Sequence, residues 1–269
     1  MQVLYVCTAN ICRSASAQLL LREAVAGEPE LAGIEVRSAG TAAIDGAPGC
    51  AVAPALVGHA NEHQSQPLTP ELLVWADLIL PAARDHRRAI LEMDPNSRTR
   101  TFTVRQAGRI ADWLVASGMV AAAREKGQEP EPAEGWAERF LPGDPRQDVQ
   151  AMPDDLAQRW DWLVGEMDAA RGLAGLPGGA EPAPAGPWRR FRIGRSERST
   201  GQADGAFRQS RDSSTPESDL EARGPSQSHP DDIPDPHVMG MGLHALAYEQ
   251  IASSTDALVR LLREVASPT

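Results

Sequence analysis

The sequence predicts an α/β fold in which a four-stranded parallel sheet carries helices on both faces. Short apolar runs alternate with stretches of helical pattern along roughly the first 117 residues, and this alternation is typical of parallel sheets. A loop with the spacing Cys-x5-Arg lies between the first predicted strand and the first predicted helix. A long segment rich in Gly, Pro and Ser precedes the last predicted helix, which indicates an insertion in the fold.

The strands are predicted from short runs of apolar or β-branched residues. Val3, Leu4, Tyr5 and Val6 form a continuous apolar run, the pattern of a strand that is buried on both faces of a parallel sheet. The predicted strands cover residues 3–6, 34–37, 78–80 and 101–103.

Helices are predicted between and after these strands. The first is rich in Ala, Leu and Glu, and Gly27 follows it as a residue that favours helix ends. The last has apolar residues on one side and is expected to complete the packing on the sheet. The predicted helices cover residues 15–26, 50–56, 70–75, 85–92, 105–117, 154–171 and 245–265.

The helical and strand patterns weaken after residue 118, which divides the chain into a domain and an insertion. The domain is predicted to comprise residues 1–118 and 231–269. The insertion, residues 119–230, is predicted to contain the helix at 154–171 and a disordered segment at 172–230 that has no sustained apolar period.

A cationic and aromatic run extends from about Arg189 to Arg198 within the segment predicted to be disordered. Such a run could dock on an acidic partner or fold over a phosphate pocket. A solvated linker is the commoner role of a charge run, and it is the interpretation we favour here.

Charge and cysteine content narrow the function classes. The formal net charge of −11 disfavours binding to nucleic acid or anionic membranes. The three cysteines, Cys7, Cys12 and Cys50, lack the spacing of a secreted disulfide framework and favour a reducing compartment. Neither a signal peptide nor a membrane span is evident. We expect a cytoplasmic protein with no metal and no cofactor.

The loop after the first strand has the features of a phosphate site. Its backbone N–H groups and the positive end of the following helix would surround a phosphate dianion and also stabilise a thiolate at Cys7. Arg13 offers a planar fork for two phosphoryl oxygens, and Ser14 can donate to the sulfur. The plainer alternative is a buried Cys and a surface Arg. The residues expected to line the phosphate are Thr8, Ala9, Asn10, Ile11, Cys12, Arg13 and Ser14.

The run Val-Cys-x-x-Asn-Ile-Cys-Arg-Ser that contains Cys7 resembles the phosphate loop of the low-molecular-weight protein tyrosine phosphatases, a family that also includes arsenate reductases. The resemblance covers about residues 1–117 and 231–265. Further landmarks occur in the family's order: Ser38-Ala39-Gly40-Thr41, His63 ahead of Leu68-Thr69, Ala76-Asp77-Leu78-Ile79-Leu80, and Asp235-Pro236.

The resemblance implies a two-step hydrolysis of a phosphate monoester. Cys7 would attack phosphorus and form a cysteinyl-phosphate, with Arg13 holding the phosphoryl group. Asp235 would protonate the leaving oxygen and later deprotonate the attacking water. A turn residue without a chemical role is the alternative for Asp235, and Asp231 and Asp232 compete for the role of general acid.

The resemblance also implies supporting residues. Asn10, Ser14, Ser38 and His63 match positions that form hydrogen bonds with one another and brace the phosphate loop. Cys12 matches the redox partner that protects the nucleophile through a reversible disulfide, although a small buried side chain is the alternative for it.

The sequence departs from the family pattern at residues 42–45. Many active tyrosine phosphatases carry an aromatic wall there, whereas this chain has Ala-Ala-Ile-Asp.

The leading prediction is a protein tyrosine phosphatase that acts on a phosphorylated protein or a small aryl phosphate. Three alternatives stay open. An arsenate reductase would need an external thiol, since no cysteine follows Cys50. A protein arginine phosphatase is the second alternative, although those relatives have Thr where this chain has Ile11. The third is a weakened module that binds a phosphorylated partner without hydrolysing it.

Overall fold

The computed structural model describes residues 1–50, 63–128, 146, 149–175, 229–239 and 241–267. The helix predicted at 50–56, the run from Arg189 to Arg198 and most of the segment at 172–230 lie outside these residues. The strands are β1 (Gln2–Cys7), β2 (Glu35–Gly40) and β3 (Leu78–Pro81). The α-helices are α1 (Arg13–Ala26), α2 (Pro70–Trp75), α3 (Arg84–Met93), α4 (Val104–Ala116), α5 (Met119–Gln128), α6 (Leu156–Ala169), α7 (Pro236–Met239) and α8 (Met241–Ala266).

The sheet is parallel, with the strand order β2-β1-β3. Val3 of the central strand β1 lies opposite Val36 on one side and Leu78 on the other. Alternate residues of β1 enter two hydrophobic clusters, one on each face of the sheet. This burial on both faces explains why β1 is a continuous apolar run rather than an alternating one.

The fourth strand predicted at 101–103 is absent from the described part of the sheet, and this prediction was wrong. Thr101 forms a single parallel bridge with Ile79, and the amide of Phe102 donates to the Ile79 carbonyl at 3.0 Å. A 3-10 helix ends at Arg100 and Thr103 already caps α4. The extended stretch between the two helices is therefore too short to form a ladder.

Helices cover both faces of the sheet, as predicted. Leu21 of α1, Ile110 of α4 and Leu258 of α8 are buried in the cluster that contains Val3. The other face, which contains Leu4 and Val6, is covered by α2 and α3 through residues such as Leu73 and Ile90. Because the three strands are parallel, the loops that follow β1, β2 and β3 all lie at the same edge of the sheet.

Much of the segment predicted to be an insertion is packed against this core. Met119, Ala123, Leu163 and Met167 are buried in the same cluster as β1. Arg159 of α6 donates to carbonyl oxygens at the end of α8, at 3.2 and 2.9 Å. The division into a domain and an insertion stays a prediction, but residues 119–128 and 149–174 do not form a separate body.

In the described ranges, every helix is either too short or too polar to cross a lipid bilayer.

Candidate active site

The predicted phosphate loop joins the carboxyl end of β1 to the start of α1. Cys7 is the last residue of β1 and is buried, and Arg13 is the first residue of α1. The amides of Thr41 and Ala42 donate to the carbonyls of Cys7 and Thr8, both at 2.9 Å, so the segment after β2 holds the first half of the loop.

Gly40 is required for this close approach between β2 and the loop. A Cβ at position 40 would collide with the carbonyl oxygen of Thr8 and lie 2.9 Å from the amide nitrogen of Asn10. Since both atoms belong to the backbone, no side-chain movement could relieve the collision.

Asn10 braces the loop from inside. Its side chain is fully buried, and its backbone adopts the left-handed conformation with φ 56°, which Asn tolerates better than most residues. Its Nδ2 donates to Ser14 Oγ at 2.9 Å and Ser38 Oγ at 2.8 Å, and its Oδ1 accepts from the Gln66 amide at 2.9 Å. The side chain therefore ties three segments of the chain to the loop.

The sulfur of Cys7 lies among hydrogen-bond donors. Ser14 Oγ is 2.9 Å from Cys7 Sγ, and the Asn10 amide donates to the same sulfur at 3.3 Å. Ser14 Oγ accepts from Asn10 Nδ2 and has the Ala39 carbonyl at 3.5 Å as a further acceptor. A thiolate at Cys7 can only accept, so in that form the Ser14 hydroxyl would donate to the sulfur at 2.9 Å. Donors of this kind stabilise a thiolate, which is the nucleophilic form of cysteine.

His63 contacts the loop backbone. Its Nε2 lies 2.6 Å from the Asn10 carbonyl oxygen, so the imidazole donates from Nε2. Burial lowers the pKa of His63, which favours the neutral ring. The four residues predicted to brace the loop, Asn10, Ser14, Ser38 and His63, are thus in one hydrogen-bonded group.

Arg13 and Asp235 form an ion pair beside the loop. Arg13 Nη2 is 2.7 Å from Asp235 Oδ2 and also donates to Thr8 Oγ1 at 3.3 Å, while Nη1 donates to the Ile233 carbonyl at 3.2 Å. The guanidinium is buried and the Asp235 side chain is 35% exposed. The amide of His237 donates to Asp235 Oδ1 at 3.1 Å and orients the carboxylate.

The neighbouring aspartates point elsewhere. Asp231 forms an ion pair with Arg109, and Asp232 pairs with Arg84 at 3.2 Å while its Oδ1 accepts from the Arg84 amide at the start of α3 at 2.8 Å. Of the three acidic residues considered from the sequence, Asp235 is the one whose carboxylate reaches the phosphate loop.

Sequence reasoning missed His86 and Gln66. His86 Nε2 lies 2.9 Å from Thr8 Oγ1. Burial, with the charge of Arg13 second, lowers the pKa of His86 to about 4. A signal existed for this residue, because His86 follows β3 closely and the carboxyl ends of parallel strands meet at one edge. Gln66 acts through its backbone amide, which no side-chain motif reveals.

Cys12 is buried beside Cys50. Burial first, and then the proximity of Cys50, raise the pKa of Cys12 to about 12. The Cys50 amide donates to the Ile11 carbonyl at 2.6 Å, which anchors the chain after β2 to the loop. Ile44 is 77% exposed, in the stretch where an aromatic wall was absent from the sequence.

Comparisons with known proteins identify the family of this chain. The sequence profile of the family described as "Low molecular weight phosphotyrosine protein phosphatase" matches residues 2–115. A protein-arginine-phosphatase of Geobacillus stearothermophilus is 34% identical over 108 residues, which span 39% of this chain and 70% of that protein. The "Probable low molecular weight protein-tyrosine-phosphatase EpsP" of Ralstonia nicotianae is 35% identical over 118 residues, 42% of this chain and 75% of that protein.

Among solved structures, the solution structure of a low molecular weight protein tyrosine phosphatase from Bacillus subtilis is similar at 33% identity. The match covers 40% of this chain and 72% of that one, with a TM-score of 0.36.

Proposed function

Since this chain belongs to the low molecular weight protein tyrosine phosphatase family and is a phosphatase, we propose that it hydrolyses phosphate monoesters of proteins through a cysteinyl-phosphate on Cys7. One observation carries this proposal. Cys7 Sγ accepts from the Asn10 amide and lies 2.9 Å from the Ser14 hydroxyl, directly before a helix whose first residue is Arg13.

In the first step, the Cys7 thiolate attacks phosphorus in line with the leaving oxygen. The sulfur–phosphorus bond forms as the bond from phosphorus to that oxygen breaks, and Asp235 gives its proton to the departing oxygen. In the second step, Asp235 takes a proton from water, the water oxygen attacks phosphorus, and the Cys7 thiolate leaves with inorganic phosphate as product. The Ser14 hydroxyl, 2.9 Å from the sulfur, stabilises the departing thiolate.

Arg13 would hold the phosphoryl group, since a guanidinium binds two phosphoryl oxygens in a planar fork. Its contact with Asp235 at 2.7 Å supports a coupled role for the two residues. An incoming phosphate dianion would compete with the carboxylate for the guanidinium, and Asp235 would then stand next to the leaving oxygen. The contacts of Thr8 with both Arg13 and His86 support a role in positioning the guanidinium.

For the substrate class, we propose phosphotyrosine in proteins, with small aryl phosphates as surrogates. The match to a relative named as a tyrosine phosphatase, at 35% identity, supports this choice. Phosphoarginine is the second candidate, because the relatives from Geobacillus stearothermophilus and Bacillus subtilis, at 34% and 35% identity, are named protein-arginine-phosphatases. Arginine phosphatases have Thr at the position that Ile11 occupies in this chain, and this difference favours phosphotyrosine as the substrate.

The substrate experiment compares kcat/KM on a phosphotyrosine peptide, a phosphoarginine peptide and an aryl phosphate, with arsenate plus a thiol donor tested alongside. We expect the phosphotyrosine peptide to be the best substrate. A preference for phosphoarginine would move the assignment to the second candidate, and thiol-dependent reduction of arsenate without ester hydrolysis would contradict the proposal.

The general acid is tested with Asp235→Asn on esters of graded leaving-group strength. The rate should fall about 10²–10⁴-fold on a poor leaving group and much less on an activated nitrophenyl ester, which needs little protonation. Asp232→Asn is the matched control, because it lies in the same segment but faces Arg84. Equal losses on all esters, or a larger loss in the control, would overturn the assignment of Asp235.

We further propose that Cys12 is the redox partner of Cys7 in a cytoplasmic protein. All three cysteines are free thiols, which supports a reducing compartment. Peroxide would oxidise Cys7 to a sulfenic acid, and the Cys12 thiol would displace water from it to form the disulfide. Peptide mapping after peroxide treatment should find a Cys7–Cys12 link. A Cys12–Cys50 link instead would contradict this pairing.

A further inference from the structure

A group of cysteine and histidine side chains lies at the phosphate loop, and none of them carries out a chemical step of the proposed hydrolysis. It comprises Cys12, Cys50, His237 and His244, and one potential ligand atom of each lies within 4.8 Å of those of the other three. Cys12 belongs to the phosphate loop, Cys50 follows β2, His237 is in α7 and His244 is in α8. Three parts of the chain that are far apart in sequence therefore contribute to one group, and His237 and His244 come from the same part.

Two thiols and two imidazoles are a ligand set that Zn²⁺ binds in tetrahedral sites. Zinc–ligand bonds of about 2.0–2.3 Å place neighbouring donor atoms of a tetrahedron about 3.3–3.8 Å apart. Cys50 Sγ and His244 Nε2 already have this separation, at 3.6 Å. The remaining donor atoms lie within 4.8 Å of one another, so they need to approach by at most about 1.0–1.5 Å to reach tetrahedral separations, which side-chain rotation can supply.

His244 gives a second, independent indication of a ligand. Its side chain is more than nine-tenths buried, with 8% exposure, and its Nδ1 has no hydrogen-bond partner among the residues the structure describes. Its Nε2 faces only a thiol, which is a weak partner. A buried imidazole with such poor partners is costly. A cation at Nε2 would replace the weak thiol partner of that nitrogen with a strong one and would leave the ring proton on Nδ1.

Access and charge also suit a metal ion. Cys12 and His244 are buried, Cys50 is half-buried and His237 is exposed, so the group has a closed interior and one side open to solvent. No acidic residue is needed for charge balance, because two thiolates neutralise one divalent cation. His237 and His244 are in edge-to-face contact with their ring centroids 5.0 Å apart, which brings α7 and α8 together at this point.

We propose that Cys12, Cys50, His237 and His244 bind one Zn²⁺ ion. Binding converts two thiols to thiolates and releases two protons to solvent. Because Cys12 precedes Arg13 and His237 lies two residues after Asp235, the ion would fix the segment that carries the general acid against the phosphate loop. It would also withhold Cys12 from a disulfide with Cys7. Cys12, Cys50 and the histidine pair lie far apart along the chain, and so no short metal motif revealed the group in the sequence.

The site is tested on the full chain, kept reduced with a phosphine and freed of metal, by titration with Co²⁺ and then Zn²⁺. Tetrahedral Co²⁺ bound to thiolates has strong visible d–d bands and a thiolate-to-cobalt charge-transfer band. We expect these bands to saturate at one Co²⁺ per chain and to disappear on addition of one equivalent of Zn²⁺. The readout is spectroscopic, so it is independent of whether the hydrolysis proposed above is correct.

Variants distinguish this site from metal bound at the nucleophile. Cys50→Ser and His244→Asn should each weaken Co²⁺ binding at least tenfold, in line with the loss expected when one of four ligands is removed. Cys7→Ser and His229→Asn should bind Co²⁺ as the parent does, since neither residue belongs to the group. Circular dichroism of each variant checks that it is folded. If His244→Asn unfolds, Cys50→Ser, at a half-buried position, carries the test alone.

A second measurement concerns Cys12 directly. Stoichiometric Zn²⁺ should slow alkylation of Cys12 and Cys50 at least tenfold in the Cys7→Ser protein, as judged by mass spectrometry of the labelled peptides. The proposal is overturned if the parent shows no tetrahedral Co²⁺ bands. It is equally overturned if the bands are lost in Cys7→Ser but kept in Cys50→Ser.

Discussion

Replacement of Asn10 by alanine tests whether one buried amide holds the phosphate loop together. The substitution removes three hydrogen bonds, to Ser14, Ser38 and Gln66. At about 1 kcal/mol for each buried hydrogen bond, the loss is about 3 kcal/mol in the free energy of unfolding. Alanine at the backbone φ of 56° adds up to about 1 kcal/mol of strain. We expect Asn10→Ala to be destabilised by about 4 kcal/mol.

The assay is urea unfolding of the parent, Asn10→Ala and Asn10→Gly, with kcat/KM on nitrophenyl phosphate measured in the absence of urea. Glycine loses the same hydrogen bonds but adopts positive φ without strain, so the difference between the two variants isolates the strain. Both should lose at least tenfold in kcat/KM, because the Ser14 hydroxyl and the amide of residue 10 lose their fixed positions at the sulfur. Stability within about 0.5 kcal/mol of the parent together with unchanged kcat/KM would refute the bracing role.

The other predictions concern a titrating histidine, a close backbone contact and the packing of α6. Burial holds the pKa of His86 at about 4, below the ordinary histidine value of about 6.5. Between these two pH values the unfolded chain binds a proton that the folded chain does not, so stability falls as pH decreases. The free energy of unfolding should fall by about 2 kcal/mol between pH 7 and pH 5. His86→Asn should make that decline much smaller in urea titrations, with the remainder coming from groups such as His63. A decline of equal size in both proteins would exclude His86 as its source. Gly40→Ala should lower kcat/KM at least tenfold, because the new Cβ would collide with the backbone of the phosphate loop. Gly33→Ala should match the parent, since nothing lies within 4 Å of its Cβ. Equal kcat/KM values in the two variants would contradict the close contact at Gly40. Arg159→Met should lower the free energy of unfolding by about 3 kcal/mol, because it removes three hydrogen bonds, and the melting temperature should fall with it. The exposed control Arg88→Met should change the melting temperature little. Equal melting temperatures in the two variants would show that α6 adds little to the core.

The phosphate loop could be predicted from the sequence because the residues that determine it are close together in the chain. A buried strand, a loop of fixed length and a helix follow one another within residues 2–26, so the apolar run and the spacing of Cys7 and Arg13 were sufficient. The order of further landmarks then pointed to Ser38, His63 and Asp235, and the structure brings all three to the loop or to Arg13.

The features that escaped prediction depend on tertiary contacts. The apolar pattern at 101–103 looked like a strand, but capping by Thr103 and the preceding 3-10 helix competed for the same residues. The weak periodicity of residues 119–128 and 149–174 hid the buried residues in these two ranges. The contact of His86 with Thr8 and the meeting of Cys12 with His244 join residues far apart in the chain. The position of His86 after β3 was a signal for the first contact, whereas a single sequence carries none for the second.

Direct detection of the phosphoenzyme tests the central claim, that Cys7 is the nucleophile. Asp235→Asn is mixed with an excess of an activated nitrophenyl ester, quenched in denaturant at successive times, digested and mapped by mass spectrometry. Since this variant lacks the base for the second step, the account predicts accumulation of close to one phosphate per chain, all on Cys7, and none in Cys7→Ala. A phosphate on another residue, or steady release of product with no phosphoenzyme at any time in a folded protein, would contradict it.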